Sequence, residues 1–277
     1  MAADDLPDEV PADPALSASA DPAPSIELLA GPLEIVDRIT IASNATFVGR
    51  IGETEVVYKP IMGEQPLWDF PDGDLGHREA AAYLVSEAFG WDIVPRTWLR
   101  DGPLGVGMVQ LWQDVDPAQD AVDIKPVAAV PGEGWRLVFE GYDDRDRPVA
   151  LVHEDSAELR RMAVFDVVVN NADRKGGHIL EMPGGHRHGI DHGLTFHEDH
   201  KLRTVLWGWA GEPLLPDELA RIEAVRQDLD AALGETLTAY ITVTELVALA
   251  DRCEHLLQSA AFPHPRGRTP ATPYPLF

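Results

Sequence analysis

Four groups of side chains along this chain have types and spacings that could do chemistry. Lys59 ends the run Glu55-Val56-Val57-Tyr58-Lys59 in a chain that otherwise favours arginine, 18 to 4. Its compact ammonium on a flexible stem suits a phosphate without needing the guanidinium fork. Glu79 follows twenty residues later, near the start of a helical pattern, where it could pair with Lys59 if that helix packs behind the sheet. The segment DVVVNNADRKGGHIL, residues 166–180, runs from buried-looking valines into Asn170, Asn171, Asp173, Arg174, Lys175 and His178. Such polar groups beside a buried segment must be satisfied by each other or by a ligand. Last, GIDHGLTF, residues 189–196, puts Asp191 at a strand end, where a carboxylate could meet a metal. Taken singly, each has a plainer reading: a solvated edge lysine, a first-turn glutamate favoured by the helix dipole, a polar helix end and a turn.

The elements that must hold these groups follow from periodicity. Residues 33–60 alternate apolar and polar with β-branched enrichment, which predicts three short strands with turns near Ser43-Asn44 and Gly52-Glu53. Residues 74–89 read as a helix stopped by Gly90. WDIVPRTWLR and LGVGMVQLWQD predict two further strands around an Asp101-Gly102 turn. From about 117 a Pro/Gly-containing connector leads to a hairpin, WRLVFEGY-DDRDR-PVALVH. Asp155 with Glu158 then resembles a capping box opening a helix through Asn170. Two short strands are expected at 178–181 and 187–190, a helix over Pro216–Leu233, and a last helix capped by Thr242 with Glu245. In that helix Val243, Leu246, Val247, Ala250, Cys253, Leu256 and Leu257 form the expected apolar face, which makes Cys253 a small core hydrophobe.

Composition narrows the function classes. The chain has 277 residues, with 47 acids against 22 Lys and Arg and a net charge of −25. A duplex-binding protein needs a basic face, so nucleic acid is excluded as a partner, as is general attraction to anionic lipid. No apolar run approaches the roughly 20 residues of a membrane span, and no signal pattern opens the chain. A single cysteine fits a reducing cytoplasm. Residues 1–24 carry six acids and almost no large apolar side chain, and read as a disordered tail. Residues 263–277 are proline-rich and expected to be irregular. Either tail could dock a partner protein, although a solvated linker is the simpler reading.

In order along the chain, Lys59, Glu79, the N-x-D-R run ending in Arg174 and I-D-x-G-x-x-F from Ile190 resemble the kinase constellation, and specifically phosphatidylinositol 3- and 4-kinases and their bacterial relatives. The resemblance implies an α+β, bilobal kinase-like fold, with a β-rich N-lobe (25–114) and a helical C-lobe (115–262). It implies ATP-dependent phosphoryl transfer to a hydroxyl of a lipid, a protein or a small molecule. Lys59 would bind the ATP phosphates and Glu79 would orient it. Asp173 would take the hydroxyl proton, Lys175 would face the γ-phosphoryl, and Asp191 would hold Mg²⁺, or Mn²⁺. Positioning and charge neutralisation are most of what this reaction requires.

The chain departs from that pattern in three places. The second metal ligand, usually asparagine, is His178, and imidazole is a poorer partner for hard Mg²⁺. The phosphate-covering loop IASNATFVG is not glycine-rich, leaving Ser43, Asn44 and backbone N–H groups for that task. The 135–152 hairpin fills the segment before the catalytic helix, so the adenine contact falls to Gln110, Leu111 and Trp112. The histidine substitution keeps open a nucleotide-binding pseudokinase. Six of the ten histidines lie in residues 178–200 (His178, His186, His188, His192, His197, His200), which keeps open a metal-dependent hydrolase.

Overall fold

The alternation of residues 33–60 becomes β1 (Leu33–Arg38), β2 (Phe47–Ile51) and β3 (Thr54–Pro60). The computed structural model describes residues 28, 30–40, 44–65, 67, 69–70, 73–266 and 270–277. The acidic segment 1–24 and Ser43 lie outside the described residues. With β4 (Thr97–Gly102) and β5 (Gly105–Leu111), these strands make an antiparallel sheet in the order β1-β2-β3-β5-β4. Two expectations shift. Gly102 pairs with Gly105, so the turn is Pro103-Leu104, not Asp101-Gly102. Residues 91–96 do not form strand, because the N–H groups of Ile93 and Val94 both donate to Ser86 Oγ at 3.0 Å, tying this segment to the preceding helix.

That helix is α1 (Leu75–Phe89). Asp74 accepts from the His77 amide at 2.8 Å, and the Glu64 carboxylate accepts from Leu75 and Gly76 at 2.8 and 2.9 Å. Three donors that the helix cannot satisfy internally are thereby paired, with anionic groups at the positive end of its dipole. Gly90 ends it with φ 64°, a left-handed conformation a side chain would resist.

A second antiparallel sheet holds β6 (Val122–Pro126), β7 (Trp135–Tyr142) and β8 (Pro148–Glu154) in the order β6-β8-β7. The expected hairpin is β7–β8. Strand β6 falls in the predicted connector; its five residues alternate apolar and polar but are short and end in Pro126, and β8 supplies the hydrogen bonds that make them a strand. Helix α2 (Ala157–Val169) is capped by Ser156, not Asp155. Asp155 instead accepts from Trp209 Nε1 at 3.0 Å and pairs with Arg136 at 2.9 Å. Then come the short hairpin β9 (Ile179–Glu181) and β10 (Arg187–Gly189), followed by α3 (Pro216–Leu229), α4 (Ala232–Leu237) and α5 (Val243–Ser259). The expected helix over Pro216–Leu233 is therefore two helices. Ala231 leaves helical geometry, and Gly234 packs so tightly on the end of α3 that a Cβ there would lie 1.9 Å from the Leu229 oxygen.

Helix α5 carries the expected Thr242–Glu245 capping box, but its buried stripe is rotated. Leu249, Cys253 and Leu256 are buried, whereas Val243 and Val247 are 67% and 55% exposed. Cys253 is a core residue, its thiol pushed up to about 12 by burial. One main core joins α1 (Ala81, Ala82, Val85, Phe89) with α2 and the C-terminal helices, and a smaller one lies on the first sheet around Leu33, Ile51, Val56, Tyr58 and Val109. Helix α1 thus packs with the helical half although its sequence neighbours are strands. The C-terminal segment is irregular but not a free linker. Leu276 accepts from the Gly176 amide at 2.8 Å, and Ala271 accepts from Thr204 N and Trp207 Nε1. No helix among the described residues is long and apolar enough to cross a membrane.

Candidate functional site

Strand β3 alternates, so Val56 and Tyr58 face the smaller core while Lys59 turns to the opposite face, toward α1. There its Nζ lies 2.7 Å from Glu79 Oε1 and 2.5 Å from Asp191 Oδ1. Burial opposes the ammonium, but Asp191 and Glu79 outweigh it and the Lys59 pKa is raised. Glu79, 3% exposed, has its pKa raised by burial against the pull of Lys59. Asp191 is half exposed and is held far below the usual carboxylate range, above all by Lys59. Three elements distant in sequence therefore converge on one cation.

The polar run after α2 divides into a buried half and a half that faces the cluster. Arg174 and Asp166 are fully buried and paired at 2.9 Å. The Arg174 guanidinium also donates to the carbonyls of His178 (3.1 Å) and Ile190 (3.2 Å), and to His192 Nε2 at 2.6 Å. One side chain thus spaces the 173–178 loop from the strand end bearing Asp191. Gly189 must be glycine here, since a Cβ would sit 2.9 Å from the guanidinium nitrogens. Asn171 accepts from the Asp173 amide and donates to Asp166, while Asn170 donates to the His197 and Asp199 carbonyls. Arg78 of α1, also buried, donates to the Thr195 carbonyl at 2.6 Å and pairs with Glu245 at 2.6 Å, locking α1 to the segment after Asp191.

Asp173 and Lys175 remain partly exposed and pair at 3.0 Å. His178 Nδ1 lies 2.8 Å from the Asp173 carbonyl oxygen, which can only accept, so Nδ1 carries the proton. Burial, with Arg174 and Lys175, lowers the His178 pKa against the opposing pull of Asp191 and Asp173, favouring the neutral ring. Its Nε2 lone pair then faces Asp191 Oδ2 at 3.3 Å. Two acceptors turned toward each other call for a cation between them, and this donor set fits a divalent metal.

The remaining candidates are placed differently. Asn44 Oδ1 is taken by the Gln65 amide at 3.0 Å, and Ser43 is outside the described residues. Gln110 is buried and donates to Thr97 Oγ1, while the N–H groups of Leu111 and Trp112 donate to the Arg96 and Glu55 carbonyls. These donors are engaged within the sheet, so they are not available to a base. The six histidines do not gather at one site. His192 is buried under Arg174, His197 packs edge-on to Phe70, and His186 and His188 adjoin Asp92. Sequence reasoning missed Asp166, Arg78 and His192 as positioning groups; an aspartate inside a valine run was the one local signal, since a buried carboxylate demands a partner.

No family model matches the chain. Protein Rv2133c of Mycobacterium tuberculosis is 46% identical over 260 residues, covering 89% of this chain and 93% of that protein. Phosphatidylinositol 4-kinase gamma 4 of rice (Oryza sativa subsp. japonica) is 35% identical over 83 residues, 27% of this chain and 15% of that enzyme. Among solved structures, the proinflammatory kinase CtkA of Helicobacter pylori gives a TM-score of 0.42 at 10% identity, covering 86% of this chain and 95% of that one. The identity and coverage of the mycobacterial relative place the chain: it belongs to the family of Protein Rv2133c.

Proposed function

We propose that this protein is an ATP-dependent phosphotransferase of bilobal, phosphatidylinositol-kinase-like architecture, with its cleft between the β-rich residues 25–114 and the helical residues 115–262. The observation that carries the proposal is Lys59, braced by Glu79 from α1 and touching Asp191 from the strand end. The partial likeness to a rice phosphatidylinositol 4-kinase supports the same reading. Lys59 neutralises the nucleotide phosphates and Glu79 fixes its position. Asp173, within reach of solvent, takes the proton of the acceptor hydroxyl as its oxygen attacks the γ-phosphorus and ADP leaves. Lys175 balances charge on the transferring group. Asp191 and His178 would hold Mg²⁺ or Mn²⁺, which would supply positive charge to neutralise the phosphates. The acceptor is a hydroxyl of a lipid headgroup, protein or small molecule, and the setting is the cytoplasm.

The experiment is ATP binding by calorimetry together with ATP turnover in Mg²⁺ and in Mn²⁺, for wild type and Asp173→Ala. Binding with metal-dependent turnover that falls at least ~100-fold in the variant is expected, the usual scale for loss of a general base. Binding without turnover in either metal would make the protein a nucleotide-binding pseudokinase. Absence of ATP binding would end the proposal.

A further inference from the structure

A second cluster lies apart from the Lys59–Asp191 group. Asp92 sits in the loop between α1 and β4, while His186 and His188 belong to the turn and second strand of the β9–β10 hairpin. Residues two apart on an extended strand face the same way, so the His-x-His spacing presents both rings on one side. The rings stand 4.5 Å apart at 82°, and His186 Nε2 is 3.6 Å from Asp92 Oδ2. One donor atom from each of the three residues lies within 4.8 Å of the others. Tetrahedral zinc with ligands about 2.0–2.1 Å away separates them by roughly 3.3 Å, so the His186–Asp92 edge is near that spacing and the three donors need close in only modestly.

His188 carries the second observation. It is 8% exposed, and its Nδ1 is buried without a hydrogen bond of good geometry, although the ring lies near the Asp92 and Ile93 backbone. A buried ring nitrogen left unpaired is costly, and a metal ion would satisfy it. Asp92 adopts φ 51°, a conformation uncommon for a residue with a side chain, which presents its carboxylate beside the hairpin. His186 Nε2 donates to the Asp92 carbonyl at 2.8 Å, a bond that metal would replace.

We propose that Asp92, His186 and His188 bind one divalent transition-metal ion of the zinc class. Two imidazoles and a carboxylate suit that class better than hard Mg²⁺, and leave a position for water. The ion would clasp the loop after α1, the helix bearing Glu79, to the hairpin that runs directly into Asp191. It would act as a structural tie between the elements that hold Lys59 from two sides.

The test uses the full chain without a polyhistidine tag, stripped with chelator and titrated with Co²⁺ and Zn²⁺. One equivalent of Co²⁺ should give the visible absorption of a low-coordinate site, one equivalent of Zn²⁺ should bleach it and raise the melting temperature, and millimolar Mg²⁺ should not compete. Asp92→Asn and His186→Gln, both at accessible positions, should each weaken binding by at least ~10-fold, no less than outer-shell changes do at known sites. Absence of a stoichiometric Co²⁺ signal would overturn the proposal, as would binding that survives both substitutions.

Discussion

Replacing Lys59 by methionine leaves a carboxylate, Glu79, at 3% exposure without its cation. Breaking a buried ion pair by removing one partner costs about 3–5 kcal/mol. Lys59 keeps some exposure and Asp191 is 49% exposed, so the arm to Asp191 contributes little and the lower end, about 3 kcal/mol, applies. For a domain of this size that lowers Tm by roughly 6–12 °C. The cost also depends on pH. Burial already raises the Glu79 pKa with the lysine present, and its removal raises it further. Between the unfolded glutamate value, about 4.3, and the raised folded value, the native state holds the extra proton, so stability falls as pH rises, by up to about 1.4 kcal/mol per unit. The deficit of Lys59→Met is therefore small in mild acid and complete at pH values above the folded pKa. Lys59→Met with Glu79→Gln should recover most of the loss in alkaline buffer and flatten the pH dependence, while neither protein turns over ATP. Thermal unfolding across pH for the four members of the cycle is the assay. A Lys59→Met protein melting within about 2 °C of wild type in alkaline buffer, or equally destabilised in acid, would refute the reasoning.

Other expectations follow from the same geometry. Asp166→Asn leaves the buried Arg174 without its counter-charge and should cost about 3–5 kcal/mol, read as a large fall in Tm, because the pair is fully buried. The double substitution Asp166→Leu, Arg174→Met should recover stability relative to Asp166→Asn but lose turnover, since the loop and the Asp191 strand lose their common spacer. His178→Asn exchanges an imidazole for an amide oxygen beside Asp191 and should raise the ratio of Mg²⁺- to Mn²⁺-supported turnover; an unchanged ratio would remove His178 from the metal site.

Much of the site was readable locally. Lys59 stands out because lysines are scarce and its strand alternates, and the 170–178 run because six polar groups follow buried valines. The strand and helix types were readable for the same reason, as period two and period 3.6 are local properties. Where the reading erred, a distant partner decided. β6 exists because β8 offers hydrogen bonds, residues 91–96 leave the sheet because Ser86 takes their donors, and the α5 stripe rotates to meet neighbouring helices.

What the chain determines alone is which groups are available: a lysine on a strand, a glutamate on a helix, a carboxylate at a strand end, and cations and an imidazole in one loop. Tertiary structure decides which of them meet. Residues 59 and 191 are 132 apart, and their 2.5 Å contact depends on Arg174 and Arg78 tying α1, the loop and the strand end together. The same packing divides the six clustered histidines among several surroundings, with His186 and His188 together beside Asp92. Proximity in sequence sets only which side chains share an element; burial of charge, which must find its partner in three dimensions, sets which ones form a site.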